Sequence, residues 1–207
     1  VTKITSSPLV IAANPNAGIS SLTELVAKAK KAPGTINYAT SGNGSAPHLG
    51  AALFAQVTGI EMTHIPFRGG GPAIQSVVAG DTQLTFGTPP SVLPMVQAGR
   101  LKGLGVSTKE RTSLVPGLPG SIEAGVPDYA IEFWYGIFVP VGTPPAVVKK
   151  IFEATQTAMA QPSVKASLAR EGTDVDVSKS PEQFASFLAE DAKFWVKLVK
   201  SAGVKLD

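Results

Sequence analysis

Residues 36–54 carry a strand, a glycine-rich turn and an amphipathic helix in direct succession, and this run constrains the chain more than any other. Ile36, Asn37, Tyr38 and Ala39 read as the strand. Thr40, Ser41, Gly42, Asn43 and Gly44 form the turn, where glycine admits positive φ and lets backbone come close to a ligand. Ser45 reads as the N-cap of the helix, Ala46 as its start, and Pro47 suits its first turn. The free N–H groups and positive dipole end of that helix then point above the strand. Such an arrangement is an anion site made of backbone.

The same grammar repeats. Residues 62–67 read as a strand, Arg68, Gly69, Gly70 and Gly71 as a turn, and Pro72 opens a short helix through Ala79. Residues 82–86 read as the next strand and 87–91 as its turn. A helix follows at 92–98 and a fourth strand at 102–106. Alternating short strands and helices predict a parallel sheet with right-handed crossovers, in which ligands bind beyond the carboxyl ends of the strands. One glycine-rich turn is ordinary in any α/β domain. Three on one edge, at 40–45, 68–71 and 87–91, are a stronger signal.

Nucleotide fingerprints are absent. There is no G-x-x-x-x-G-K-[ST], and Gly42-Asn43-Gly44 is half of a dinucleotide motif whose third glycine is replaced by Pro47. A small carboxylate fits better than a phosphate. No G-x-S-x-G elbow surrounds Ser45, and none of the three turns carries a carboxylate. Donors without a base or nucleophile bind and release rather than catalyse, so no enzyme activity is expected. The chain has no cysteine, which excludes disulfides and thiolate chemistry. Its net charge of +3 is spread without a basic stripe, so no nucleic-acid partner is expected. No apolar run is long enough to cross a bilayer. His48 and His64 lack ligand-spaced companions, so no metal and no cofactor are expected, and His64 reads as a packed strand residue.

Around this core, residues 7–13 read as one strand and 22–31 as an amphipathic helix between Ser20 or Ser21 and Pro33-Gly34. Residues 133–140 form an apolar strand. Helices follow at 146–160 and 164–171, a short strand at 174–177, and a last helix from Ser180, its N-cap, to about Lys200. Two segments, 9–13 and 133–139, read as crossings between lobes. Residues 10–132 make a complete α/β lobe. Residues 1–9 and 133–207 make the remnant of another, with helices and little sheet.

The ordered set of motifs resembles a known family. It runs from Asn37-Tyr38-Ala39-Thr40-Ser41-Gly42-Asn43-Gly44-Ser45-Ala46-Pro47-His48-Leu49 through His64-Ile65-Pro66-Phe67-Arg68-Gly69-Gly70-Gly71-Pro72-Ala73 to Trp134-Tyr135-Gly136 and Val139-Pro140-Val141-Gly142-Thr143-Pro144. These are similar to the solute-binding proteins of tripartite tricarboxylate transporters, the Bug family. The resemblance implies a type II periplasmic-binding fold of two α/β lobes with two crossing strands. It implies a periplasmic location, a small mono- or dicarboxylate ligand, aromatic acids included, and delivery to membrane permease subunits. It also implies a further N-terminal segment, about the first third of the family's length, bearing a Pro-Gly-Gly loop on the other wall of the cleft. The first lobe is therefore expected to be incomplete. Amino-acid-binding members often carry Phe-Asp where this chain has Phe86-Gly87, which favours a ligand without an ammonium group.

The expected ligand-binding residues are Thr40, Ser41, Gly42, Gly44, Ser45, Ala46, Arg68, Gly70, Gly71, Phe86, Gly87, Thr88 and Trp134. Arg68 has two roles open to it: a bidentate partner for a carboxylate or a surface salt bridge. The last helix sets Phe184, Phe187, Leu188, Trp195, Leu198 and Val199 on one broad apolar face. With most of its sheet missing, that face is expected to be exposed, and to drive dimerisation, exchange of elements between copies, or retention of an N-terminal fragment. Two other readings stand beside the receptor: the effector-sensing domain of a transcription regulator that binds a small organic acid, and, more weakly, an isomerase or hydrolase.

Overall fold

In the computed structural model, residues 1–201 and 203 are described. The expected remnant lobe runs on to residue 207; positions 202 and 204–207 lie outside the described residues. Strands β1 (Thr2–Pro8), β7 (Glu132–Ile137) and β8 (Asp174–Val175) form one sheet in the order β7-β1-β8. Strands β2 (Val10–Ala13), β3 (Asn37–Thr40), β4 (Thr63–Pro66), β5 (Leu84–Gly87) and β6 (Lys102–Val106) form the other, in the order β4-β3-β5-β2-β6. The helices are α1 (Leu22–Lys31), α2 (Ala46–Thr58), α3 (Gly70–Ala79), α4 (Pro89–Gln97), α5 (Pro145–Ala160), α6 (Pro162–Arg170) and α7 (Pro181–Ser201).

The five-stranded sheet is buried on both faces, and strand alternation decides which side chain meets which helix layer. Ile11 and Ala13 join Leu22, Leu25, Leu49 and Phe54 in one core cluster, so α1 and α2 cover that face. Val10 and Ala12 join Ile74, Val77 and Val92 in the other, under α3 and α4. The sheet is not wholly parallel. Strand β2 runs antiparallel to both β5 and β6, while β3 is parallel to β4 and β5. The physical reason lies in the entry of the chain: it arrives through β1 at the same edge where β5 and β6 end, so β2 must run back between them.

The expected strand at 7–13 is two strands divided at Leu9, and the N-terminal segment carries more sheet than expected. Thr2 to Pro8 pairs antiparallel with Ile137 to Glu132. Ser107 sits where the sheets meet. It is wholly buried. Its Oγ accepts the Leu9 N–H at 2.7 Å and donates to the Ile131 carbonyl at 2.6 Å. Its backbone N–H bonds to the Leu9 carbonyl, and its carbonyl takes the Ile131 N–H.

Helix α7 corrects a second expectation. Its apolar face is covered rather than open. Phe184 and Leu198 are buried, and Phe187, Leu188, Trp195 and Val199 are half-buried. Phe184 meets Trp134, Phe138 and Phe187, and Trp195 packs on Phe133. Leu198 extends the α1/α2 core cluster. Exposed apolar residues near this helix include Tyr135 and Phe138 at β7, and Phe194 and Val196 on α7 itself.

Replacing Ser107 with Ala strands the Leu9 N–H and the Ile131 carbonyl in a dry site, at about 1–3 kcal/mol for each group left unsatisfied. The Ser107→Ala chain is expected to unfold at a lower urea midpoint with an unchanged m-value. A midpoint equal to the parent's would remove Ser107 from the role of tie.

Candidate functional site

Strands β3, β4 and β5 end together, with Thr40 opposite Pro66 and Ala39 opposite Thr85. The three glycine-rich loops therefore share one edge and touch. The Phe67 N–H bonds to the Thr40 carbonyl at 2.9 Å. A Cβ on Gly42 would lie 3.6 Å from the Phe67 carbonyl, and one on Gly70 would lie 3.2 Å from Ser91 Oγ.

The first loop is held from beneath by two histidines. Gly42 and Gly44 have φ of 131° and 67°, a region that favours glycine. The Gly42 N–H donates to Thr40 Oγ1 at 3.3 Å, and Thr40 Oγ1 lies 2.6 Å from His64 Nε2. The Gly44 N–H donates to His48 Nδ1 at 3.1 Å. The two imidazoles stack at 3.8 Å with their planes 14° apart, and Tyr38 stacks on His64 at 5.1 Å. Burial lowers the pKa of both rings; His64 falls to about 4, with His48 beside it adding to the shift. The reading of His64 as a packed strand residue agrees with this placement. The pairing with His48 was not anticipated. Its only signal in the sequence was the shared strand parity of Tyr38, Thr40 and His64.

Ser45 stands at the N-cap position of α2, but its hydroxyl does not cap. It donates to the Gly42 carbonyl at 2.7 Å and closes the loop on itself. The backbone N–H groups of Ala46 and His48 have no partner among the described residues. Gly44, expected to offer its N–H to a ligand, has it engaged by His48. Ser41 is half-exposed on the same loop.

Gly70 and Gly71 lie in the first turn of α3, which starts before Pro72. Arg68 is exposed and makes no hydrogen bond or ion pair among the described residues, so the surface salt bridge is not formed. Thr88 occupies the N-cap position of α4 and shares its hydroxyl with Ser91 at 3.2 Å. Phe86 is a core residue rather than a site residue. It is wholly buried between Tyr38, Phe54 and Tyr129, because β5 turns Leu84 and Phe86 toward α2. Gly87 faces the opposite layer, where a Cβ would lie 2.4 Å from Val92 Cγ2.

Trp134 joins the loop from the other sheet. A cavity of about 220 Å³ is lined by Gly44, Ala46, Leu49, Phe133, Trp134 and Trp195. A second, of about 430 Å³, shares Phe133, Trp134 and Trp195 and adds Lys3, Phe187 and Asp191. One oxygen of Asp191 accepts both indole N–H groups, from Trp134 and Trp195, at 2.8 Å each. Sequence reasoning missed Asp191, which is one carboxylate among several on α7. The structure thus gathers Thr40 to Ala46, Gly70, Gly71, Gly87 and Thr88 at one edge and sets Trp134 against it. It leaves Phe86 in the core and Arg68 on the surface. Among the described residues, no group of three His, Cys, Asp or Glu could hold a metal.

Donor-rich loops thus share one sheet edge, and aromatic side chains from β7 and α7 line the cavity against the first of them. The chain belongs to the tripartite tricarboxylate transporter family receptors, whose family model matches residues 1–204. It is 29% identical over its full length to protein BugT of Bordetella pertussis, and spans 63% of that protein. Among solved structures it resembles Rpa4515 of R. palustris with adipate, at 28% identity and a TM-score of 0.90, over 99% of this chain and 68% of that one. MatC (Rpa3494) from Rhodopseudomonas palustris, with bound malate, is also 28% identical, with a TM-score of 0.85 over 96% of this chain and 68% of that one. The expected type II periplasmic-binding α/β fold is therefore present, over about two thirds of its relatives' length.

An acid at position 87 would collide with Val92. The Gly87→Asp chain is expected to lose about 1–3 kcal/mol of stability through overpacking, and Val92→Ala in the same chain to recover part of it. Thermal unfolding checks both. An unshifted melting temperature in Gly87→Asp would show that α4 yields freely.

Proposed function

We propose that this chain is the receptor part of a tripartite tricarboxylate-type uptake system. It captures a small mono- or dicarboxylate in the bacterial periplasm and presents it to membrane permease subunits. The observation that carries the reading is the convergence of three Gly/Ser/Thr loops at one sheet edge, with two N–H groups at the start of α2 that have no partner among the described residues. Relatives solved with adipate and with malate support the ligand class. Capture and release without chemistry follow from that set of groups.

In this reading, residues 10–132 form the lobe that carries the loops, and residues 1–9 and 133–207 belong to the other. The ligand lies between the 40–46 loop and the wall of Trp134 and Trp195. One carboxylate accepts the Ala46 and His48 N–H groups with the α2 dipole behind them. Ser41 and Thr88 hydroxyls and the start of α3 at Gly70 and Gly71 line the same space. Arg68, exposed and unpaired among the described residues, is free to swing toward the second carboxylate.

Two measurements test this. Ala46→Pro removes one N–H at a first helical position, where proline is tolerated. Calorimetry with adipate is expected to show affinity about tenfold or more weaker, since a hydrogen bond to a charged group contributes about 1.5–3 kcal/mol. Undiminished affinity in a folded Ala46→Pro chain would sink the α2 site. In the second, adipate and malate compete with glutamate. Plain dicarboxylates are expected to win, because Gly87 leaves no acid for an ammonium group. A preference for glutamate would place such an acid elsewhere.

A further inference from the structure

The two histidines beneath the first loop are engaged in a way that goes beyond packing. The two glycines of the loop are each held by one imidazole. Gly44 is held directly through Nδ1 of His48, and Gly42 through Thr40 Oγ1, which abuts Nε2 of His64. The imidazoles are in turn pressed face to face. A neutral His48 that accepts at Nδ1 carries its proton on Nε2. Thr40 Oγ1 accepts the Gly42 N–H and can donate its own hydrogen to His64 Nε2, which puts the His64 proton on Nδ1.

We propose that the stacked His48–His64 pair is a neutral positioning element, which fixes the 42–46 loop in its anion-accepting shape and lends it no charge. This rests on the carboxylate-receptor reading and adds to it which residues set the affinity. A cation beneath an anion site is the simpler guess for a histidine pair, and the geometry argues against it. Two imidazolium rings at 3.8 Å would repel across a half-buried gap. A proton on His48 Nδ1 would turn the acceptor of the Gly44 N–H into a second donor and break the loop's hold.

The groups facing the pair give no counter-charge. β3 brings Tyr38, whose own pKa burial raises to about 12. β4 and α2 bring only the two imidazoles, and the loop between β3 and α2 has no ionisable side chain. Burial alone pushes His48 down, and burial followed by the neighbouring ring pushes His64 to about 4. A folded-state pKa below the unfolded value means that the unfolded chain binds the extra proton first. The pair's contribution to stability is then complete above about pH 6.5 and is lost as pH falls toward 4.

Three chains decide the matter: the parent, His48→Phe, which keeps a stacking ring without the acceptor, and His48→Asn, which restores an acceptor near the Nδ1 position without a titrating group. By NMR, the Gly44 amide is expected to exchange about tenfold faster in His48→Phe and near the parent rate in His48→Asn. The His64 ring is expected to titrate near pH 4 in the parent. Adipate affinity should be flat between about pH 8 and pH 6. It should drop about tenfold in His48→Phe and largely recover in His48→Asn. A Gly44 amide indifferent to His48→Phe, a His64 midpoint near 6.5, or affinity rising as pH falls from 8 to 6 overturns the proposal. If the parent takes up no adipate, the receptor reading fails, while amide exchange and ring titration still decide whether the pair positions the loop.

Discussion

Ser107 is the point on which the two sheets depend. Its hydroxyl and backbone together join Leu9, where the chain leaves the first sheet, to Ile131, where it returns. Four hydrogen bonds pass through one wholly buried residue. Serine is the smallest side chain that can both donate and accept here, and the site is dry, so each bond is hard to replace. Because Leu9 and Ile131 are fixed to each other, β2 enters the five-stranded sheet at the edge where β5 and β6 end. The antiparallel run of β2 follows, and so does the gathering of the three loops beside the entry point.

From that edge the chemistry is narrow. Donors are plentiful and come mainly from backbone. Helix dipoles aim at the same space, and burial lowers the pKa of the two imidazoles beneath the first loop. Shape is the other constraint at this edge. Gly87 is barred from carrying a side chain by Val92, not merely lacking one. The aromatic wall from β7 and α7 lines the cavity that faces the first loop.

Much of this was legible from residue order. α1 and β6 lie where the periodicity and the flanking Ser21 and Pro33 place them. α3 and α4 begin a few residues early, because glycine and proline, weak helix formers in the interior, are tolerated in a first turn. β1 was missed because its polar, alternating sequence is stabilised by a partner over a hundred positions away, which no local pattern reveals. The direction of β2 is equally invisible locally. The covered face of α7 was misjudged for a related reason: β7 supplies Phe133 and Trp134 against it, and α2 approaches its far end through Gln56 and Ser201. At the site, loop positions were readable, while the engagement of Gly44 by His48 and the retreat of Phe86 into the core depend on register and side-chain facing. The parity of β5 contained the second, since Leu84 and Phe86 must share a side.

The single carboxylate oxygen that takes both indole N–H groups ties together the only two tryptophans of the chain. The tryptophan emission of this protein therefore has one source, the seam between β7 and α7. Since the same two rings line the cavity against Gly44 and Ala46, that emission is an optical report of the distance between the loop edge and its facing wall, with no other chromophore of its kind to blur it.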